Sequence, residues 1–236
     1  MNKLVVSNSE ELRDIIVSDV DMYVRVNLTD TSDDIQMDVM DNMNLMVFET
    51  SKGTSNKITY NLRSNANLII NKLSSDNSDV TVVNLLGYGA SVTINNSVIN
   101  YGDNVCVQTI NHLANKTTSN ITNHGINVSD RTLNFTVNGI VGKEFRDCLS
   151  NQDNKIINMS DGKSFIFPNL VVDNNLVDIY HSAYIGTFSD EVMFYLKSRG
   201  IREEDCNNIL IKGLLIGKME LNEDEREELK VLINNI

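Results

Sequence analysis

The chain has 236 residues, 41% of them apolar, and a formal net charge of −12. This length suits one or two domains with a sizeable core. No apolar run approaches the ~20 residues that span a bilayer, and the first nine residues lack the apolar stretch of a signal peptide. We therefore expect a cytoplasmic protein without membrane insertion. The acidic charge argues against nucleic acid as a partner.

Residues 1–20 form a mixed lead-in, in which Ser9-Glu10-Glu11-Leu12 resembles a helix start. From residue 21 onward, short segments alternate apolar and polar residues with a period of two, which is typical of strands with one buried face. Clusters rich in Asn, Ser, Asp and Gly separate them and predict turns. Asn is unusually frequent, with 34 residues in the chain. The clearest alternating segments are 22–26, 44–48, 67–70, 80–83, 91–94 and 133–137.

No helical pattern of ten or more residues interrupts this region, which excludes a doubly wound α/β fold. A sandwich, a barrel and a coil of parallel strands all remain compatible with the pattern. Hairpin signals are scarce, since Asn138-Gly139 and Asp161-Gly162 are the only pairs of the two-residue type. The scarcity of hairpins and the many Asn-rich turns favour a β-helix, but periodicity alone leaves the sandwich open.

The last fifty residues carry helical signals. Ser189 is a predicted N-cap, and Gly200 is a predicted C-cap that follows basic residues. A second helix is expected over about 203–217. Asn222 and Glu225 predict a capping box for a third helix, whose inward-facing residues would be Leu229, Leu232, Ile233 and Ile236.

Two tail segments resemble a known family. Residues 181–186 read HSAYIG and residues 190–201 read DEVMFYLKSRGI, which is similar to the signature of the SufB/SufD family. The stretch to residue 213, and upstream segments such as 112–114 and 135–141, match the family in the same order. The resemblance covers roughly residues 80–217 and is most specific over 181–213.

The resemblance implies a right-handed parallel β-helix followed by a small helical region, an α+β organisation. Together with the sequence pattern, it divides the chain into a lead-in (1–20), a β-helix core (21–185) and a helical region (186–236). It also implies a scaffold for iron–sulfur cluster assembly that pairs with a second SufB/SufD-type subunit and docks a SufC-like ABC ATPase through the tail. The expected docking residues are Phe194, Tyr195, Arg199, Leu210 and Leu214.

His181 matches the family histidine near the subunit interface and is the first candidate for binding a transient iron–sulfur cluster. The position at which SufB carries a functional cysteine falls here on Asp153, so the chain is more similar to SufD. Cys148 lies five residues away and is a weaker candidate, as a thiolate ligand. Cys106 and Cys206 are expected in the core.

No Walker motif occurs, so ATP hydrolysis would depend on a partner, and no protease or hydrolase motif is present. We therefore expect a non-catalytic protein. Two alternatives remain open. One is a degenerate SufB/SufD paralogue that keeps only dimerisation and partner binding. The other is a carbohydrate-active β-helix protein that uses carboxylates such as Asp33, Asp34, Asp76 and Asp79.

Overall fold

The alternating segments form strands, and each strand pairs in parallel with the strand one turn further along the chain. The computed structural model describes residues 2–13 and 15–234. Its strands are β1 (Asn2–Val6), β2 (Ile15–Val17), β3 (Met22–Thr29), β4 (Asp34–Val39), β5 (Asn44–Lys52), β6 (Lys57–Leu62), β7 (Asn67–Ser75), β8 (Val80–Leu85), β9 (Ser91–Asn100), β10 (Asn104–His112), β11 (Thr118–Asn127), β12 (Leu133–Val141), β13 (Cys148–Asn158), β14 (Ser164–Val172) and β15 (Val177–Gly186). Its α-helices are α1 (Asp190–Ser198), α2 (Glu203–Ile216) and α3 (Glu223–Ile233).

The strands belong to two sheets. The odd-numbered strands β1 to β15 form an eight-stranded sheet, which we call the odd sheet, and the even-numbered strands β2 to β14 form a seven-stranded even sheet. Each turn therefore adds one strand to each sheet. Every strand pairing recorded among the described residues is parallel, which confirms the predicted parallel β-helix and excludes the antiparallel sandwich.

Two columns of left-handed residues turn the chain at its corners. Asp30, Gly53 and Asp76 have positive φ after consecutive odd strands, and a second column precedes the odd strands. Each of these residues donates its backbone N–H to a carbonyl of the next turn, as Asp30 does to Lys52 O at 2.9 Å. Asn, Asp and Gly tolerate this conformation best. These corner positions therefore explain part of the high Asn content of the chain. The second column consists of Asn42, Asn65, Gly89, Lys116 and Asp147.

Stacked asparagines account for more of that excess. On the even sheet, Asn84 donates to Asn61 Oδ1 at 2.8 Å, and Asn111 donates to Asn84 Oδ1 at 2.8 Å. The ladder starts at Asp38, which accepts from Asn61 at 2.9 Å. An amide side chain can donate to one neighbour and accept from the other, so in-register parallel turns let equal residues bond in a row.

The described residues of the lead-in, 2–13 and 15–20, are part of the β-helix. β1 pairs with β3 and β2 pairs with β4, so the lead-in of the sequence forms the first turn. Its Ser9–Leu12 segment is one turn of 3-10 helix that buries Leu12 in the core. The strands β1 and β2 have only five and three residues, too few to show a clear period of two in the sequence.

The tail helices begin where the caps predicted. Ser189 Oγ accepts from Val192 N at the start of α1, Gly200 has φ +83°, and Asn222 and Glu225 form a capping box on α3. Leu229 and Ile233 are buried as predicted. Leu232 is exposed because it lies at the edge of the apolar stripe of α3, and Ile236 lies outside the described residues.

Helices α2 and α3 pack on the outer face of the odd sheet. Ile211, Leu215 and Met219 contribute to one buried cluster with Leu229 and Ile233 of α3. Side-chain contacts between Tyr23 and Glu225 and between Arg25 and Glu228 attach α3 to β3. The sheet contributes an apolar strip made of Phe48, Leu73, Ile99, Ile126 and Ile157.

A charged cluster lies inside the β-helix. Lys72 Nζ is 2.7 Å from Glu49 Oε1 and 2.5 Å from Asp79 Oδ2, and all three residues are buried. Asp79 also accepts from Asn56 N at 2.7 Å and from Thr54 Oγ1 at 2.9 Å. Buried charges are tolerated only when they are paired and hydrogen-bonded, and both conditions hold here.

Burial alone would raise the pKa of Asp79, but the Lys72 charge and the hydrogen bonds outweigh it and hold the pKa below its usual value. A carboxyl with a lowered pKa stabilises the folded state above its unfolded pKa, which is near ~4. That contribution is lost as the pH falls through the lowered value.

We predict that Lys72→Met lowers the free energy of unfolding by about 3–5 kcal/mol at pH 7, because it leaves two buried carboxylates without their cation. The loss should shrink near pH 4, because in the variant the buried Asp79 carboxyl, without its cation, can take up a proton. Urea denaturation at both pH values measures it. Lys57→Met is the matched control, since Lys57 forms an exposed pair with Asp34, and it should cost less than about 1 kcal/mol. Equal effects of the two substitutions would contradict the prediction.

Candidate functional site

The last turn of the β-helix, β14 and β15, forms an open end. Both strands are the terminal members of their sheets, and none of their residues is buried. Their inward-facing residues would be covered if another turn followed. The open end also carries exposed apolar side chains, namely Phe165, Phe167, Val171, Leu176, Tyr180, Tyr184 and Ile185.

His181 lies on the inner side of this open end. β15 pairs with β13 so that His181 is opposite Gln152, and paired residues of parallel strands share a face. The Gln152 amide nitrogen donates to Asn169 O of β14 at 3.4 Å, so its side chain points into the β-helix. The imidazole of His181 therefore lies on the interior side and remains exposed, because β15 is the last strand of its sheet.

Cys148 is not adjacent to His181. It lies at the first position of β13, opposite Val177, four residues before Gln152. At about 3.3 Å per residue the separation along the strand is about 13 Å. The thiol is buried, where it accepts from Thr117 Oγ1 at 3.3 Å and donates to Ala114 O at 3.4 Å. Cys106 and Cys206 are buried, as predicted for core residues, and burial raises the pKa of Cys106 to about 12.

A row of buried polar side chains leads from the charged cluster to the open end. Consecutive odd strands place Glu49, Lys72, Asn96, Asn123 and Asn154 opposite one another. The Asn96 amide donates to Asn123 at 3.0 Å, and the Asn123 amide donates to Asn154 at 2.8 Å. The row ends where Asn154 donates to the backbone carbonyl of Ser182, at 3.2 Å.

A shallow cavity of about 350 Å³ lies at the last odd strands, and its lining includes His181 and Gln152 of the inner side as well as Tyr180, Ser182 and Asp153 of the outer side. Tyr180 and Ser182 alternate with His181 and therefore lie on this outer side, where Ser182 Oγ donates to Asp153 Oδ1 at 2.7 Å. Lys218, which follows α2, also lines the cavity. Asp153, the position of the SufB cysteine, thus faces outward from β13, on the opposite side from Gln152.

The five tail residues expected to dock a partner fall into two groups. No residue of α1 is buried, and Phe194 is 74% and Tyr195 56% exposed. The Arg199 guanidinium lies over the Tyr195 ring at 5.2 Å from its centroid. Leu210 and Leu214 of α2 are half-buried, and Leu214 packs against the cluster that joins the tail to the odd sheet.

The histidines other than His181 have internal partners. His112 is buried, its ring nitrogens lie 2.8 Å from Thr117 Oγ1 and 3.1 Å from Ser119 Oγ, and burial lowers its pKa to about 4. His124 Nδ1 lies 2.7 Å from Leu214 O and so ties β11 to α2. The pKa of His124 is lowered, chiefly by burial. These contacts give both residues a structural role.

The carboxylates of the carbohydrate alternative do not converge in a groove. Asp33 bonds Ser9 and Arg13, Asp76 accepts from backbone N–H groups of the following turn, and Asp79 is part of the buried charged cluster. Asp34 forms an exposed pair with Lys57. These four carboxylates thus do not form the facing pair that glycoside hydrolysis requires.

Two further observations describe residues 2–13 and 15–234. No three His, Cys, Asp or Glu side chains in them come together as a metal site. No helix in that part of the chain is long and apolar enough to cross a lipid bilayer.

Comparison with known proteins agrees with this geometry. The family model described as "SUF system FeS cluster assembly, SufBD core domain" matches residues 41–214. An iron–sulfur cluster assembly SufBD family protein of Mycobacterium leprae is 43% identical over 47 residues. That match covers 20% of this chain and 12% of the relative's length.

The matched range begins just before β5 and ends within α2, so it contains most of the β-helix, the open end with His181, and α1. Fold and family match together define a parallel β-helix protein with a SufBD core domain. The chain belongs to the SufBD family, as the sequence resemblance predicted.

Proposed function

We propose that the chain is a non-catalytic scaffold subunit of a SUF-type iron–sulfur cluster assembly complex. The observation that carries the proposal is the open end, where none of the residues of β14 and β15 is buried although both strands belong to the core sheets. Terminal strands with free N–H and C=O groups and apolar side chains favour pairing with another chain. A second SufB/SufD-type subunit, identical or different, is the proposed occupant.

Such pairing would enclose His181 between two subunits. An imidazole nitrogen is a suitable ligand for iron, and the cluster would be cargo that is assembled and passed on. Further ligands would come from the second subunit or from the sulfur source. Cys148 cannot supply a further ligand beside His181 in the described conformation, because its thiol is buried and lies away from His181.

The proposed energy source is a SufC-like ABC ATPase docked on the tail. Exposed aromatic residues close to an arginine are typical of interface hot spots, and α1 carries Phe194, Tyr195 and Arg199. Leu210 is half-buried and could contribute at the edge of the same surface. Leu214 serves the packing of the tail on the odd sheet.

The docking proposal predicts that Phe194→Asp weakens capture of the cognate SufC-type ATPase by about 2 kcal/mol or more, roughly thirtyfold in Kd. The physical reason is that a carboxylate cannot be buried in an apolar contact without a partner. Titration calorimetry with the purified ATPase measures the loss. Tyr88→Asp, which changes an exposed aromatic residue at a β-helix corner, is the control and should leave Kd unchanged. An unaltered Kd for Phe194→Asp would reject the tail as the docking site.

The cluster proposal predicts that His181→Ala reduces iron and sulfide in the anaerobically purified complex, and transfer to a target apoprotein, by at least about tenfold, as loss of a metal-site residue does. Asp178→Ala, on the outer side of the same strand, should retain wild-type loading. Normal loading of His181→Ala in a complex that still contains both partners would support the degenerate paralogue, which keeps only partner binding.

A further inference from the structure

Gln152 carries a buried acceptor that has no partner. The residue is 3% exposed, and its Oε1 atom makes no hydrogen bond; among the buried side-chain nitrogen and oxygen atoms of the described residues, only Asn134 Oδ1 also lacks a partner. An unsatisfied buried acceptor costs about 1–3 kcal/mol. Such a group therefore needs an explanation.

The orientation of the amide is set by its other end. Gln152 Nε2 donates to the backbone carbonyl of Asn169 at 3.4 Å. A flipped amide would place two acceptor oxygens against each other, so the oxygen must be the end that remains without a partner. Only a donor can satisfy it.

The strand register supplies one candidate donor. The inner row that contains Gln152 runs through Ile70, Ile94 and Ile121 and ends at His181. The row begins with Leu4, Val24 and Val47, so it is aliphatic for six turns and becomes polar only at its last two positions, directly beside the open end. Residues paired in this way lie about 4.8 Å apart, so the imidazole of His181 is within reach of the Gln152 amide.

The two side chains are complementary. A neutral imidazole has one N–H donor and one nitrogen acceptor. If one ring nitrogen donates to Gln152 Oε1, the lone pair of the other is directed away from the core, toward the open end. Hydrogen bonds of this kind fix the tautomer and the ring orientation of histidines that bind metals.

We propose that Gln152 is a positioning residue for His181: its amide oxygen accepts the imidazole N–H, selects one neutral tautomer and presents the other ring nitrogen at the open end. The hydrogen bond is a property of the chain by itself. Its use in holding a cluster rests on the function proposed above.

Long-range ¹H–¹⁵N spectra of the metal-free 236-residue chain at pH 8.5 test the hydrogen bond directly. The chain has three histidines, and the signals lost in His181→Ala identify those of His181. The wild-type protein should show His181 in a single neutral tautomer, with well-separated ring ¹⁵N shifts. If the two His181 ring ¹⁵N shifts are instead averaged, as in a free exposed imidazole, this result alone overturns the proposal, and no Gln152 variant is needed.

Gln152→Ile provides the second arm, because isoleucine occupies this row in earlier turns and should pack there. The two His181 ring ¹⁵N shifts should then converge, while Ser150→Ala, two residues away on the same strand, should leave them unchanged. Persistence of the single tautomer in a folded Gln152→Ile protein would contradict the assignment. The protein carries no cluster in these measurements, so failure of the proposed assembly function would leave the NMR result unaffected. Equally, failure of the Gln152–His181 hydrogen bond would leave the proposed assembly function standing.

Discussion

In-register parallel stacking of turns is the constraint on which the rest of this structure depends. Each left-handed corner residue donates its N–H to the next turn, and each strand satisfies its backbone groups on the strands before and after it. Every inner turn is therefore completed by a neighbour on both sides, whereas the first turn, β1 and β2, and the last turn, β14 and β15, have a neighbour on one side only. The open end with His181 is a direct consequence of this rule. The functional proposal depends on the same feature, since what would complete the last turn is another chain.

Stacking also explains how polar residues can be buried in so many turns. Equal amides placed opposite one another become donor and acceptor in succession, as in the ladders from Asn61 to Asn111 and from Asn96 to Asn154. The same register brings Lys72 beside Glu49, where the ion pair must be complete because the interior cannot solvate a single charge. In the inner row that passes through Ile121, the Gln152 amide oxygen has no hydrogen-bond donor. This oxygen lies next to His181 at the open end. Among the described odd strands it is the one buried side-chain nitrogen or oxygen atom without a hydrogen-bond partner, and such an exception often marks a functional position.

Much of the fold could be predicted from local patterns. The caps at Ser189 and Asn222 and the period-two strands are encoded by neighbouring residues, and they were recognised. The repeat itself was hidden, because turns lengthen along the chain: Asn61 bonds a residue 23 positions on, whereas Ser119 bonds one 31 positions on. Register over such variable loops is a tertiary property. For that reason the sequence did not reveal that Cys148 and His181 lie apart, that residues 2–20 form a turn, or that Gln152 is the residue beneath His181. The isoleucines at the equivalent positions are a signal for Gln152 that becomes visible only once the register is known.

The central claim is that a second subunit pairs with the exposed strands of the last turn. Hydrogen–deuterium exchange measured by mass spectrometry tests this claim most directly. In the isolated chain at low concentration, peptides from β14 and β15 should exchange far faster than those from β9 to β13, since they have a neighbouring strand on one side only. Addition of the second SufB/SufD-type subunit should slow exchange in β14 and β15 and leave the inner strands as they were. The account would be contradicted if β15 exchanged as slowly as β11 in the isolated chain and if addition of the partner changed neither rate.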